Sequence, residues 1–105
     1  MNPAAVNISA FDLSVLRGDG IFEATTVFKG FPISLENHLR RLSDSARPTP
    51  NIAAITRGIE KVMSAYDDPE PAPLLRIIVS RGLDQETGIG KAAAASGNTV
   101  PTIFI

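Results

Sequence analysis

Cysteine is absent from this chain of 105 residues and histidine occurs once. Neither a disulfide framework nor a thiolate metal site can form, and a single imidazole cannot assemble a zinc site. A chain without cysteine suits a reducing cytoplasm. Charge of one sign is also lacking: ten basic residues stand against eleven acidic ones, for a net charge of -1. They are interspersed, which argues against a charged tail and against broad attraction to nucleic acid or an anionic membrane. No apolar run approaches the roughly 20 residues that a membrane span needs. The opening MNPAAVNISAFDL lacks the basic start and continuous apolar stretch of an export signal, so the triplet Asn7-Ile8-Ser9 reads as a chance match to a glycosylation acceptor.

What the chain does contain is 44% apolar and 20% charged residues, the balance of a globular domain, and its length is enough for one small domain. Residues 1–10 read as irregular or as a short edge segment, and Phe11–Leu16 as a helical turn ahead of the glycine pair Gly18 and Gly20. From Ile21 to Lys29 β-branched and aromatic residues predominate. They place Ile21, Glu23, Thr25 and Val27 on one face and Phe22, Ala24, Thr26 and Phe28 on the other, which predicts a central strand. Lys29-Gly30 supplies a tight turn, and Phe31-Pro32-Ile33 a short return strand at an edge.

Ser34 stands as the N-cap of a helix over Leu35–Ala46 that Pro48 and Pro50 bring to an end. Its apolar stripe is Leu35, Leu39, Leu42 and Ala46, with His38 and Arg41 along one edge and Arg40 on the solvated side. A second helix over Asn51–Tyr66 buries Ile52, Ile55, Ile59, Val62, Met63 and Tyr66. After an acidic, proline-bearing linker over Asp67–Pro73, Leu74–Ser80 reads as another central strand. Leu83–Asn98, containing Lys91, reads as a mobile loop, and Thr99–Ile105 as a final buried strand. The expected fold is α+β, a small two-layer domain with two helices over an antiparallel-leaning sheet.

Four side chains invite a functional reading. Arg76 interrupts an apolar strand, where a buried guanidinium must meet an anion; a structural ion pair with Glu23 and a role in holding a substrate carboxylate are equally weighted. Arg41 has the fork suited to phosphate, although an isolated helix arginine is more often solvated. His38, on an apolar edge, is by base rate a satisfied core histidine. Phe22 is core or pocket wall, and the two readings are compatible. Gly18 and Gly20 around Asp19 permit backbone turns but spell neither a dinucleotide fingerprint nor a P-loop. Arg17-Gly18-Asp19 matches an adhesion tripeptide, which a cytoplasmic chain does not use. None of Lys29, Lys61 and Lys91 has the desolvated setting of a nucleophilic lysine.

The blocks GDGIFE, HLRRLSDSA and LLRIIVSRG, in this order and spacing, resemble the amino-terminal domain of the class IV (fold type IV) pyridoxal-phosphate enzymes. That family includes branched-chain and D-amino-acid aminotransferases and 4-amino-4-deoxychorismate lyase. The resemblance implies a small amino-terminal domain of a two-domain subunit. The family's cofactor-bearing lysine, which also acts as base at the substrate Cα, would lie in a second domain outside these residues, so the chain alone is expected to be inactive and no catalytic residue is assigned to it. By the same resemblance Arg41 holds the cofactor phosphate with His38 in support, and Phe22, Arg76 and Arg17 address the substrate. Arg17 replaces a usual aromatic residue, which hints at an acidic substrate. The cofactor implied is pyridoxal 5'-phosphate, the substrate an amino acid, and the assembly a homodimer. An aminodeoxychorismate-lyase-like activity is favoured over a branched-chain or D-amino-acid aminotransferase. The reading from another class is a non-catalytic anion-binding or interaction domain.

Overall fold

A run of β-branched and aromatic residues from Gly20 to Phe28 forms the strand β1 in the computed structural model, which describes residues 6–46, 49–67, 72–84 and 99–105. Lys29 and Gly30 both take positive φ, 49° and 82°, the backbone of a two-residue hairpin whose twist matches its strands. The chain therefore returns at once as β2, Phe31–Pro32, with Phe28 opposite Phe31 and Val27 opposite Pro32. Two helices follow, α2 over Leu35–Ser45 and α3 over Ile52–Ala65, and then the strand β3 over Leu74–Ser80. The Val27 N–H donates to the Pro73 carbonyl at 2.8 Å, which sets the end of β1 beside the start of β3.

Among the described residues a four-stranded sheet runs in the order β2-β1-β3-β6, where β6 is Ile103–Phe104, antiparallel to β3. A two-stranded sheet pairs β4, Leu83–Asp84, with β5, Thr99–Val100. The chain divides into two compact units, residues 21–79 with 103–105, and residues 1–20 with 80–102.

In the first of these, the face of β1 that carries Val27 joins Leu75, Ile77 and Val79 of β3, Leu42 of α2 and Ile55 and Ile59 of α3 in one core. Leu35, Leu39, Ile52, Met63, Ile103 and Ile105 pack against it, so the helical stripes expected from the spacing point inwards. The other sheet face is open: Phe22, Phe28, Phe31, Leu74 and Arg76 are exposed. Gly58, in the interior of α3, has a packing reason, because a Cβ there would collide with the Ile105 side chain.

The second unit is knotted around Asp12. Its carboxylate accepts from the Ser14 N–H and the Ser14 hydroxyl through Oδ1, and from the hydroxyls of Ser80 and Thr102 through Oδ2, at 2.7–3.0 Å. Asp12 is thereby the N-cap of α1, Leu13–Arg17, which ends at Gly18 with φ 72°. Burial alone raises the Asp12 pKa, and the donors from Ser14, Ser80 and Thr102 more than offset it, leaving the carboxyl below its ordinary value. The Arg81 guanidinium lies 3.5 Å from Asp19 Oδ2 in the same unit.

Several expectations need correction. Thr99–Ile105 is not one strand but two, β5 and β6, in different sheets, because Pro101 has no N–H to continue a ladder. The segment expected as loop starts with β4, and its remainder, Lys91 included, lies outside the described residues. So do residues 1–5, Pro48 and most of the 67–73 linker. Ser34 precedes α2 but takes φ 54°, ψ 37° and makes no side-chain cap, since an extended backbone is needed to aim the hydroxyl at the first turn. Its carbonyl accepts from the His38 N–H instead. Tyr66, expected on the buried stripe, is the exposed C-cap of α3.

Candidate functional site

Strand alternation sends Glu23 to the helix-covered side of β1 and Phe22 to the open side. Glu23 meets α2 there. Residues three apart on a helix lie one turn from each other on the same side, and the two that α2 presents are His38 and Arg41. His38 Nδ1 is 2.6 Å from Glu23 Oε2, and Arg41 Nε is 3.2 Å from Glu23 Oε1. One carboxylate therefore holds both sequence-predicted residues of this helix, one with each oxygen.

Exposure differs sharply across this cluster. The Glu23 side chain is 11% exposed and that of His38 19%, whereas that of Arg41 is 69% exposed. Among the described residues no hydrogen bond from the Arg41 terminal nitrogens is seen, and most of its side chain is exposed. His38 Nε2 is likewise without a partner among the described residues. Arg40 is on the far side of the helix, where its Nη2 donates to Asn37 Oδ1 at 2.7 Å. The periodicity thus separates the two adjacent arginines as expected.

Phe22 and Arg76 form a second group, with the Arg76 guanidinium 5.3 Å from the Phe22 ring centroid. This corrects the premise of a buried guanidinium: β3 alternates exposed and buried residues up to Ile77, and Arg76 shares the open face with Leu74. Its π contact is the inexpensive arrangement for a solvent-facing cation, worth about 0.5–1 kcal/mol. Glu23, once considered as an ion-pair partner for Arg76, points to the opposite face and is occupied by His38 and Arg41. Arg17 is exposed in the last turn of α1, in the other compact unit. Sequence reasoning had passed over Glu23 as a site residue. The signal that could have found it was its register, since an acid alternating with Ile21, Thr25 and Val27 must be withdrawn from water and needs a cationic partner.

A phosphate-bearing cofactor fits the first cluster. An arginine gripped at Nε and open at both terminal nitrogens offers the two parallel donors that phosphate oxygens accept best. A chain placed on the same face by helical spacing, His38, adds a ring nitrogen beside it. Of the described lysines, Lys29 lies over the Phe28 ring at 5.4 Å and Lys61 is exposed on α3, so neither is poised as a nucleophile.

The chain is 34% identical to the bifunctional aminodeoxychorismate lyase / D-amino acid transaminase of Mycobacterium tuberculosis, an alignment that takes in 100% of this chain and 37% of that protein. Its structure is similar to a fold IV transaminase from Curtobacterium pusillum, with a TM-score of 0.73 and 28% identity over 98% of this chain and 34% of the other. A hypothetical aminotransferase from Mycobacterium tuberculosis matches with 31% identity and the same coverage, in a PLP-bound form at a TM-score of 0.73 and in a form with alpha-ketoglutarate and PMP at 0.71. The chain spans about a third of the length of these relatives. The model of the amino-transferase class IV family matches residues 20–105, a stretch that contains the Glu23 cluster, the Phe22–Arg76 pair and the whole four-stranded sheet; the chain belongs to that family.

Proposed function

We propose that this chain is the amino-terminal part of a pyridoxal-phosphate enzyme that performs transamination or lyase chemistry on an amino acid. The observation that carries the reading is the mostly exposed Arg41 side chain, whose Nε lies 3.2 Å from Glu23 Oε1. Arg41 would hold the cofactor phosphate, and His38 would stand beside it. Bound in this way, pyridoxal phosphate supplies an electron sink for negative charge developing at the substrate Cα.

Phe22 and Arg76 serve the substrate in this reading. The exposed guanidinium supplies a carboxylate partner, and the ring below it fixes its position while adding apolar wall. Arg17, in the other compact unit, is kept as a separate candidate for a substrate carboxylate. An aminodeoxychorismate-lyase-like activity is favoured, with a branched-chain or D-amino-acid aminotransferase as the alternative; the M. tuberculosis relative is named for both lyase and D-amino acid transaminase activity. A homodimer is part of the proposal and is supported by the open sheet face, where Phe22, Phe28, Phe31 and Leu74 are each more than half exposed. A cytoplasmic setting rests on the chain having no cysteine.

The test compares two neighbouring arginines in the full-length protein. Arg41→Ala should weaken pyridoxal-phosphate retention on dialysis by about 100-fold, the scale of a lost charge-assisted pair. Arg40→Ala should leave retention unchanged. Equal retention in the two variants removes the phosphate assignment.

A further inference from the structure

Glu23 is the one member of the Arg41 cluster with no direct role in the reading above, and we infer that it is a positioning residue that makes Arg41 selective for phosphate. This inference rests on the assignment of Arg41 to the cofactor phosphate and goes beyond it. The geometry decides between two opposite expectations for a carboxylate at an anion site. If Glu23 gripped both terminal nitrogens of the guanidinium, it would occupy the fork and compete with the incoming phosphate. Its contact is with Nε instead, at 3.2 Å, and among the described residues neither terminal nitrogen makes a hydrogen bond.

A second contact fixes the carboxylate itself. His38 Nδ1 holds the other Glu23 oxygen at 2.6 Å, and β1 and α2 together withdraw the Glu23 side chain to 11% exposure. The arginine is therefore held at one end by a group that cannot readily move. An exposed arginine otherwise spreads over many rotamers, and ordering it on binding costs affinity. Tethering at Nε removes much of that cost before the phosphate arrives. The same bond fixes the imidazole: with Nδ1 directed at Glu23, Nε2 is the nitrogen left to face a ligand. Phe22, next in sequence, is on the opposite strand face, so this role concerns the phosphate end and not the Phe22–Arg76 pair.

The experiment uses the full-length protein and compares the affinities for pyridoxal phosphate and for pyridoxal, which lacks the phosphate. Four proteins are titrated by cofactor absorbance: wild type, Glu23→Gln, Arg41→Ala and the double variant. Glutamine keeps the shape and can still accept from His38 but loses the charge that holds Nε. Glu23→Gln should weaken pyridoxal phosphate by about fivefold, the scale of one partly exposed ion pair, and leave pyridoxal unchanged. In the Arg41→Ala background it should cause no further loss.

Tighter pyridoxal phosphate binding by Glu23→Gln overturns the inference, because Glu23 would then oppose the phosphate. An equal fall for both ligands also overturns it, since the role would be structural. An Arg41→Ala variant that binds pyridoxal phosphate normally overturns the underlying phosphate assignment as well, and is distinguished by that single variant. Should Glu23→Gln fold poorly, Glu23→Asp replaces it: one methylene shorter, it keeps the charge but cannot span both partners, so an intermediate loss confined to pyridoxal phosphate is expected and wild-type affinity overturns the positioning role.

Discussion

Asp12 and Glu23 are two carboxylates withdrawn from water, one in each compact unit, and they are satisfied in opposite ways. Asp12, 1% exposed, is saturated by an amide and three hydroxyls, none of them ionisable in the ordinary range. Glu23 meets an imidazole and a guanidinium, the second of which reaches solvent. A carboxylate closed off by neutral donors ties chain segments distant in sequence, residues 12, 14, 80 and 102, and has no capacity left for a ligand. The other holds an imidazole and a guanidinium, of which the guanidinium side chain is mostly exposed. Burial alone would rank Asp12 above Glu23 as a functional residue; partner chemistry reverses that order.

The largest effect that tests this contrast is on stability. Asp12→Ala leaves three hydroxyls and a helix N-terminus without their acceptor and should cost about 3 kcal/mol, read as a lower urea midpoint of the full-length protein. A cost below about 1 kcal/mol would mean that Asp12 is not the knot described. Its affinity for pyridoxal phosphate, measured on the folded fraction, should not change.

A smaller effect follows from ionisation. Because the Asp12 pKa is lower folded than unfolded, the unfolded chain binds this proton first as pH falls. The stabilisation is complete above the ordinary carboxylate value of 3.8 and is lost as pH drops below it through the folded-state pKa. Asp12→Asn should therefore flatten this part of the acid limb of a stability-against-pH curve. An unchanged limb would assign acid sensitivity to other carboxylates.

The smallest of the three concerns Glu23. Replacing it with alanine leaves Arg41 solvated and His38 able to find water, so the stability loss should be about 1 kcal/mol, well below that of Asp12→Ala. A loss as large as that of Asp12→Ala would erase the distinction between structural knot and ligand-directed clamp.

Much of the fold was legible because its signals are local. The alternation in Ile21–Phe28, the Lys29-Gly30 turn, the run Leu74–Ser80 and the three-and-four spacing in both long helices each depend on residues close in sequence. The separation of Arg41 from Arg40 followed from the same helical arithmetic. The family resemblance was readable from three short blocks. What escaped were features set by distant partners. Asp12 drew no reading of its own, and Arg76 read as a buried charge, because neither the hydroxyls of Ser80 and Thr102 nor the open side of the sheet can be seen from a linear neighbourhood. Gly58 lies inside a helix, where glycine costs about 1 kcal/mol relative to alanine, and the reason for it is the Ile105 side chain, distant in sequence, in the space a Cβ would take.

The chain by itself determined its long secondary elements, its α+β class and its family, since periodicity, turn chemistry and motif spacing are properties of adjacent residues. Only the tertiary structure decided that Thr99–Ile105 divides between two sheets, that Arg76 faces solvent across Phe22, and that Glu23 joins His38 to Arg41. Each of these depends on which face meets which neighbour. A strand's alternation creates two faces but does not say which will be covered, and packing settles that by burying the side whose apolar residues find a complementary helix surface.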